Sequence, residues 1–163
     1  MPANQPLPRL RRLQPNDVDA VLEVYRDAVM TQATGLYSLR QIEAWASHAA
    51  HDPNVRAALL RGHGLVSHAA AAERIEAFAL LDPPCRLSLL YCRGSASRQG
   101  HGRALVRALE ARAHAFGCAQ LRTEASRLSR PLLERLGWQV EAEETVLFAG
   151  VSFDRWRMIR DLA

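Results

Sequence analysis

The stretch Cys92–Gly117, CRGSASRQGHGRALVRALEARAHAFG, holds the residues whose types and spacing most directly suggest chemistry. Gly94, Gly100 and Gly102 sit between an apolar run and an amphipathic one. Leu105, Leu109, Ala113 and Phe116 fall on one stripe at helical spacing, while Arg103, Arg107 and Glu110 lie off it. A glycine-bearing loop that runs into a helix leaves several backbone N–H groups unpaired at the positive end of the helix dipole. Such a loop suits a phosphate or pyrophosphate, and Arg98 or Arg103 can add charge-assisted contacts. The plainer reading is a strand–helix turn with solvated arginines.

Other residue types narrow the chemistry. All 21 lysine-plus-arginine positions are arginine, which excludes a Schiff-base lysine and a P-loop of the Gly-Lys-Ser/Thr form. His48 and His51 lie one helical turn apart, the spacing of a metal pair. No third ligand stands at suitable spacing, so solvated or capping histidines and no metal are expected. Cys85, Cys92 and Cys118 are odd in number and lack ligand spacing, and they read as reduced and mostly buried. A net charge of +4 without a basic cluster interleaved with aromatics gives no reason to expect nucleic acid. No run approaches ~18 apolar residues, so no membrane partner is expected. The N-terminal MPANQPLPRLRR lacks a signal-peptide core, which points to a cytoplasmic protein.

These residues need elements to hold them. With 48% hydrophobic residues the chain reads as one globular domain over 1–163, with a loose start over 1–8. Residues 9–13 suggest a first strand. Pro15-Asn16-Asp17 opens a helix over about 17–30, with Val18, Val21, Leu22, Tyr25 and Val29 on its apolar face. Ser38 and Gln41 form a capping box for a second helix, and Asp52-Pro53 starts a third that stops at Gly62. From 64 the period changes, and 64–70, 75–81 and 86–92 read as successive antiparallel strands. The helix entered from the glycine loop ends at Gly117. A strand at 119–125, a short helix at 129–136 stopped by Gly137, and a hairpin of 138–148 with 151–160 complete the chain. The fold class is α/β (α+β mixed): a mixed, mostly antiparallel sheet of about six to seven strands with helices on both faces.

With these segments placed, the chain resembles the GNAT superfamily of acetyl-CoA-dependent N-acetyltransferases over about residues 9–160. The family's acyl-CoA signature, Arg/Gln-x-x-Gly-x-Gly/Ala, is matched by Ser97-Arg98-Gln99-Gly100-His101-Gly102, with both glycines in register. Leu89-Leu90-Tyr91-Cys92 looks like the strand before it. Glu124-Ala125-Ser126 and Arg130–Trp138 look like the strand and helix after it. Tyr37-Ser38, Gln41-Ile42 and Trp45 resemble the acceptor-side helix of a small bacterial subgroup. The resemblance implies acetyl-CoA as cosubstrate, bound by the amides from about Arg98 to Arg103. It also implies that the fourth and fifth strands splay to admit pantetheine against the backbone of Leu90 and Cys92.

The implied activity is direct acetyl transfer to an amine on a small molecule, peptide or protein, in a ternary complex without a metal. Ser97 departs from the signature's Arg or Gln. Leu133 stands where many members carry the tyrosine that protonates the leaving thiolate, which raises the alternative of a catalytically weak acyl-CoA-binding module. Glu124 is the best carboxylate for a base or water relay, with an ion pair as its plain alternative. Tyr91 is a candidate to face the thiol, and Ser126 to contact pantetheine or cap a helix. Tyr25, Tyr37 and Trp45 are candidates for the acceptor pocket, or else core. Exposed strand edges suggest a homodimer.

Overall fold

Alternation along one central strand sets the layers of the computed structural model, which describes residues 6–162. In β3 (Ile75–Leu81), Phe78 and Leu80 enter one core, while Ala77, Ala79 and Leu81 enter the other. The first core is closed by α1 (Val18–Gln32), α2 (Leu39–His51) and α3 (Pro53–Arg61), and the second by α4 (His101–Ala115). A strand feeding two cores must be apolar on both faces, which is why residues 75–81 show no polar alternation. The small alanines on one side let α4 sit close to the sheet.

Four strands, β1 (Arg9–Arg12), β2 (His63–His68), β3 and β4 (Leu87–Cys92), pair antiparallel in that order. A second sheet runs β5–β7–β6, from β5 (Gln120–Ala125), β6 (Gln139–Phe148) and β7 (Val151–Asp161). The two sheets meet where β4 and β5 run side by side, through a parallel bridge between Arg86 and Arg122. There Arg122 N–H donates to Cys85 O at 3.2 Å and Thr123 Oγ1 to Leu87 O at 2.6 Å. Beyond Thr123 the two strands part. The seven strands thus form the expected mixed, mostly antiparallel arrangement with helices on both faces, divided where β4 and β5 cease to pair.

The local signals for the helices are realised. Ser38 and Gln41 bond reciprocally, at 2.9 and 3.1 Å. Asp52 Oδ1 accepts from Asn54 N–H at 2.8 Å to start α3. Gly117 and Gly137 adopt φ of 94° and 92° where α4 and α5 (Arg130–Arg135) end, a conformation that favours glycine. Asp17 plays a different part from a simple helix start. It follows a 3-10 turn over residues 15–17, accepts from Gln14 N–H at 2.8 Å, and pairs with Arg11 at 2.8 Å. The part of the expected loose start at residues 1–5 lies outside the described residues.

Three expectations are corrected. Phe116 leaves the apolar stripe and is 51% exposed, with the Arg112 guanidinium over its ring at 4.2 Å. Val106 instead joins Leu105, Leu109 and Ala113 in the buried face of α4. Glu110, read as off the stripe, is buried, held by Arg107 at 2.8 Å and beside Arg160. Cys85 and Cys118 are not reduced thiols but a disulfide across 33 residues of sequence, leaving Cys92 free. The turn before β4 and the end of α4 meet beside the bridge between the two sheets, a proximity that sequence spacing cannot announce.

Closing a loop of that length restricts the unfolded chain, so replacing Cys85 and Cys118 by serine is expected to lower unfolding free energy by about 3–4 kcal/mol. Urea denaturation of the oxidised protein and the double variant measures this.

Candidate active site in the split between the sheets

The antiparallel register decides which backbone groups face the split. Arg93 N–H donates to Glu76 O at 2.8 Å, so the backbone of Arg93 faces β3. By the two-residue period Tyr91 also faces β3, and Leu90 and Cys92 turn their N–H and C=O toward β5. β5 has moved away there, which leaves an edge able to pair with an extended guest. Gln32 Nε2, at the end of α1, donates to Cys92 O. Sequence reasoning missed Gln32, since this contact joins residues 60 positions apart.

A cleft of about 950 Å³ follows the split, from the glycine loop past Leu90 and Cys92 to an aromatic end. At the loop end, Gly100 has φ 88° and caps α4. A Cβ built there would meet nothing within 4 Å, so the loop is open above it. The amides of His101, Gly102 and Arg103 have no backbone acceptor among the described residues, whereas Ala104 N–H already bonds Gly100 O at 3.0 Å. Gly102 is needed for packing as well, because a Cβ would lie 2.8 Å from Leu132 Cδ2. Ser97, Arg98 and Arg103 line the cleft, and neither arginine has a carboxylate partner among the described residues. Gln99 is exposed and turns its amide back to Ser95 O at 3.3 Å.

His101 is the first residue of α4. Its ring is buried, with Nδ1 2.7 Å from Ser67 Oγ on β2, and burial draws its pKa down, against the opposing charge of Glu76. The histidine is therefore a neutral anchor that fixes the first turn of α4 to the sheet.

At the other end, Tyr25, Tyr37 and Trp45 line the cleft together with Tyr91, Phe148 and Phe153. Trp45 Nε1 donates to Tyr91 OH at 3.0 Å, and the rings of Tyr25 and Tyr91 lie 4.2 Å apart. Tyr37 packs edge-on against Trp45 at 5.3 Å and its hydroxyl accepts from Arg127 N–H at 2.9 Å. Tyr25 and Trp45 are core residues that also form the cleft wall. Burial pushes the Tyr91 hydroxyl up to about 12, and that of Tyr25 up as well. Both are therefore neutral near pH 7.

Residues 33–160 match the family described as Acetyltransferase (GNAT) domain. The chain belongs to the GNAT acetyltransferases. With that membership it is an acyltransferase. Its fold is similar to a GCN5-related N-acetyltransferase from Rhodopseudomonas palustris, with TM-score 0.88 and 26% identity over 96% of this chain and 97% of that one. It is also similar to the PaiA N-acetyltransferase from Thermoplasma acidophilum, solved with coenzyme A, at TM-score 0.74 and 18% identity over 96% and 99% of the two chains. YncA, a putative acetyltransferase from Salmonella typhimurium with acetyl-CoA, follows at 0.63 and 18% over 97% and 95%. Among curated proteins no relative matches.

Within this GNAT domain the remaining candidates separate by their partners. Glu124 lines the cleft but is held by Arg86, with Nε at 3.0 Å and the second guanidinium nitrogen at 2.9 Å. Ser126 Oγ accepts from Leu128 and Ser129 N–H at 3.1 and 3.3 Å, which closes the turn into α5. Leu133 is 1% exposed and packed in the second core, so no hydroxyl reaches the cleft from that position. Burial raises the free Cys92 thiol to about 11, too high for a thiolate nucleophile at neutral pH. No helix among the described residues is long and apolar enough to cross a membrane.

Three histidines, His48, His63 and His101, are drawn below their usual 6.5, with burial as the leading cause in each. A depressed folded pKa gives stability that is full above the unfolded value and lost as pH falls through the folded one. Melting temperature is thus expected to fall as pH drops below about 6.5. His101→Asn is expected to remove part of that slope, measured by thermal denaturation from pH 7 to 5.

Proposed function

We infer that the protein is an N-acetyltransferase that moves an acetyl group from acetyl-CoA to an amine by direct attack in a ternary complex. The observation that carries this reading is the single cleft joining the open amide loop at Gly100, the β4 edge at Leu90 that β5 leaves without a partner strand, and the aromatic end at Trp45. The GNAT relatives solved with coenzyme A and acetyl-CoA support the choice of cosubstrate. The donors present fit it. Amides 101–103 and the guanidinium groups of Arg98 and Arg103 suit a pyrophosphate, and the outward backbone of Leu90 suits the amides of pantetheine.

Acetyl-CoA, when bound, supplies the thioester carbonyl that the amine attacks. The chain's own part is to hold two reactants on opposite ends of one cleft and to exclude water with the Tyr25, Trp45 and Phe153 wall. An unpaired β4 amide facing the split polarises the carbonyl. Tyr91 takes over the proton donation that Leu133 cannot provide. Its hydroxyl is neutral and its oxygen already accepts the Trp45 N–H, which leaves the O–H to give. Glu124 is the ion-pair partner of Arg86 and orients the wall rather than a water. The acceptor is a small-molecule or peptide amine. The cytoplasmic setting expected from the sequence requires the fold to persist with the Cys85–Cys118 bridge reduced.

The buried Leu133 favours a second reading, a weakly active acyl-CoA-binding module of the same fold. Thiol release followed across a panel of primary amines separates the two, because steady turnover excludes the module. Tyr91→Phe is expected to lower kcat by roughly 10–100-fold with little change in KM. Gly100→Val forces a branched side chain into φ 88° over the amide loop. Calorimetry is expected to show at least ~100-fold weaker acetyl-CoA binding, a loss of about 2.7 kcal/mol; an unchanged affinity overturns the reading.

A further inference from the structure

At the aromatic end of the cleft, His48 lines the wall one helical turn after Trp45. Its Nε2 lies 3.2 Å from Asp52 Oδ2. Phe148 packs on the ring, with centroids 4.2 Å apart. Nδ1 has no partner among the described residues, although the side chain is only 22% exposed. The carboxylates that line the cleft are engaged: Glu124 by Arg86, and Asp154 by Thr145 at 2.8 Å with Arg127 at 3.9 Å. Asp52, behind His48 and outside the cleft lining, has no arginine partner among the described residues. It does have a second duty, because its other oxygen caps α3 through Asn54 N–H at 2.8 Å. One rigid helix start therefore fixes the carboxylate that fixes the histidine.

From this arrangement we propose that His48, oriented by Asp52, is the proton acceptor for an alkylammonium substrate seated against Tyr25, Trp45 and Phe148. The proposal rests on the acetyl-transfer reading above and names its substrate class and its base. A carboxylate beside Nε2 favours the proton on that nitrogen, which leaves the Nδ1 lone pair for the incoming cation. Burial holds the ring neutral near pH 7, against the pull of Asp52. The aromatic faces attract an ammonium group.

The step balances as follows. The ammonium N–H bond breaks, its proton passes to His48 Nδ1, and the electron pair stays on nitrogen. That pair forms the C–N bond as the C–S bond breaks, with the departing pair on sulfur. Sulfur takes a proton from Tyr91, which recovers one from the acylated nitrogen. His48 releases its proton to water.

The test uses the intact protein, phenethylamine as a strongly basic acceptor and phenylhydrazine as a weakly basic one that is already unprotonated. For His48→Gln, kcat with phenethylamine is expected to fall about 100-fold or more, while the rate with phenylhydrazine stays within about threefold. Asp52→Asn keeps a good helix cap, so α3 should persist. It can present an amide N–H to Nε2, which selects the wrong tautomer, and kcat for phenethylamine is expected to fall with KM unchanged. Equal losses on both amines, or none, overturn the proposal. Nitrogen-15 spectra of the histidine rings decide the matter independently of turnover. A neutral His48 carrying its proton on Nε2 in the wild type, moved to Nδ1 in Asp52→Asn, supports it, and a wild-type proton on Nδ1 overturns it. Absence of turnover with every amine refutes the acetyl-transfer reading, whereas the spectra still judge the base.

Discussion

The structure depends on β4 and β5 failing to pair. They touch at Arg86 and Arg122, share the Thr123-to-Leu87 hydrogen bond, and then separate. A continuous sheet would satisfy every backbone group of Leu90 and Cys92 internally. The split instead leaves an edge buried enough to be selective and unpaired enough to accept a guest strand. Backbone groups without partners are costly to bury, which makes this edge the part of the sheet most receptive to a guest.

Holding a sheet open requires anchors at its closed end and separate cores on either side. The Cys85–Cys118 bridge, the Arg86–Glu124 pair and the Thr123 hydrogen bond gather where the strands still touch. Beyond them, the helices of the first core and α4 of the second pack on opposite faces of β3. Each side therefore keeps its own apolar support when the strands diverge. The His101–Ser67 contact ties the start of α4 to β2, so the amide loop is held at a set height above the split.

The two ends of the cleft solve different problems. The loop end offers fixed partial positive charge from amides and two unpaired arginines, which suits an anion. The far end is aromatic, with neutral tyrosines and a histidine beside the carboxylate of Asp52. On the acetyl-transfer reading, proton handling falls to that far end, where an amine would lose its charge before attack. The residues suited to it are Tyr91 and His48, whereas the cleft's Glu124 is already committed to Arg86.

The sequence by itself determined the local features, because they rest on short-range physics. The capping box at Ser38, the Asp52 cap, the left-handed glycines at 117 and 137, and the amide loop at Gly100–Gly102 each depend on residues within one helical turn. The order of strands and helices followed from periodicity, and the aromatic trio was named though not yet placed as both core and wall. Only the tertiary structure decided the rest. Leu90 and Cys92 face the split because of the register with β3, and Gln32 reaches Cys92 from 60 positions away. Cys85 meets Cys118 because two turns converge beside the sheet junction. Asp52, readable as a helix cap, also stands beside a histidine that the sequence suggested was idle. Such pairings are set by how layers pack around β3, and one-dimensional spacing carries no record of that.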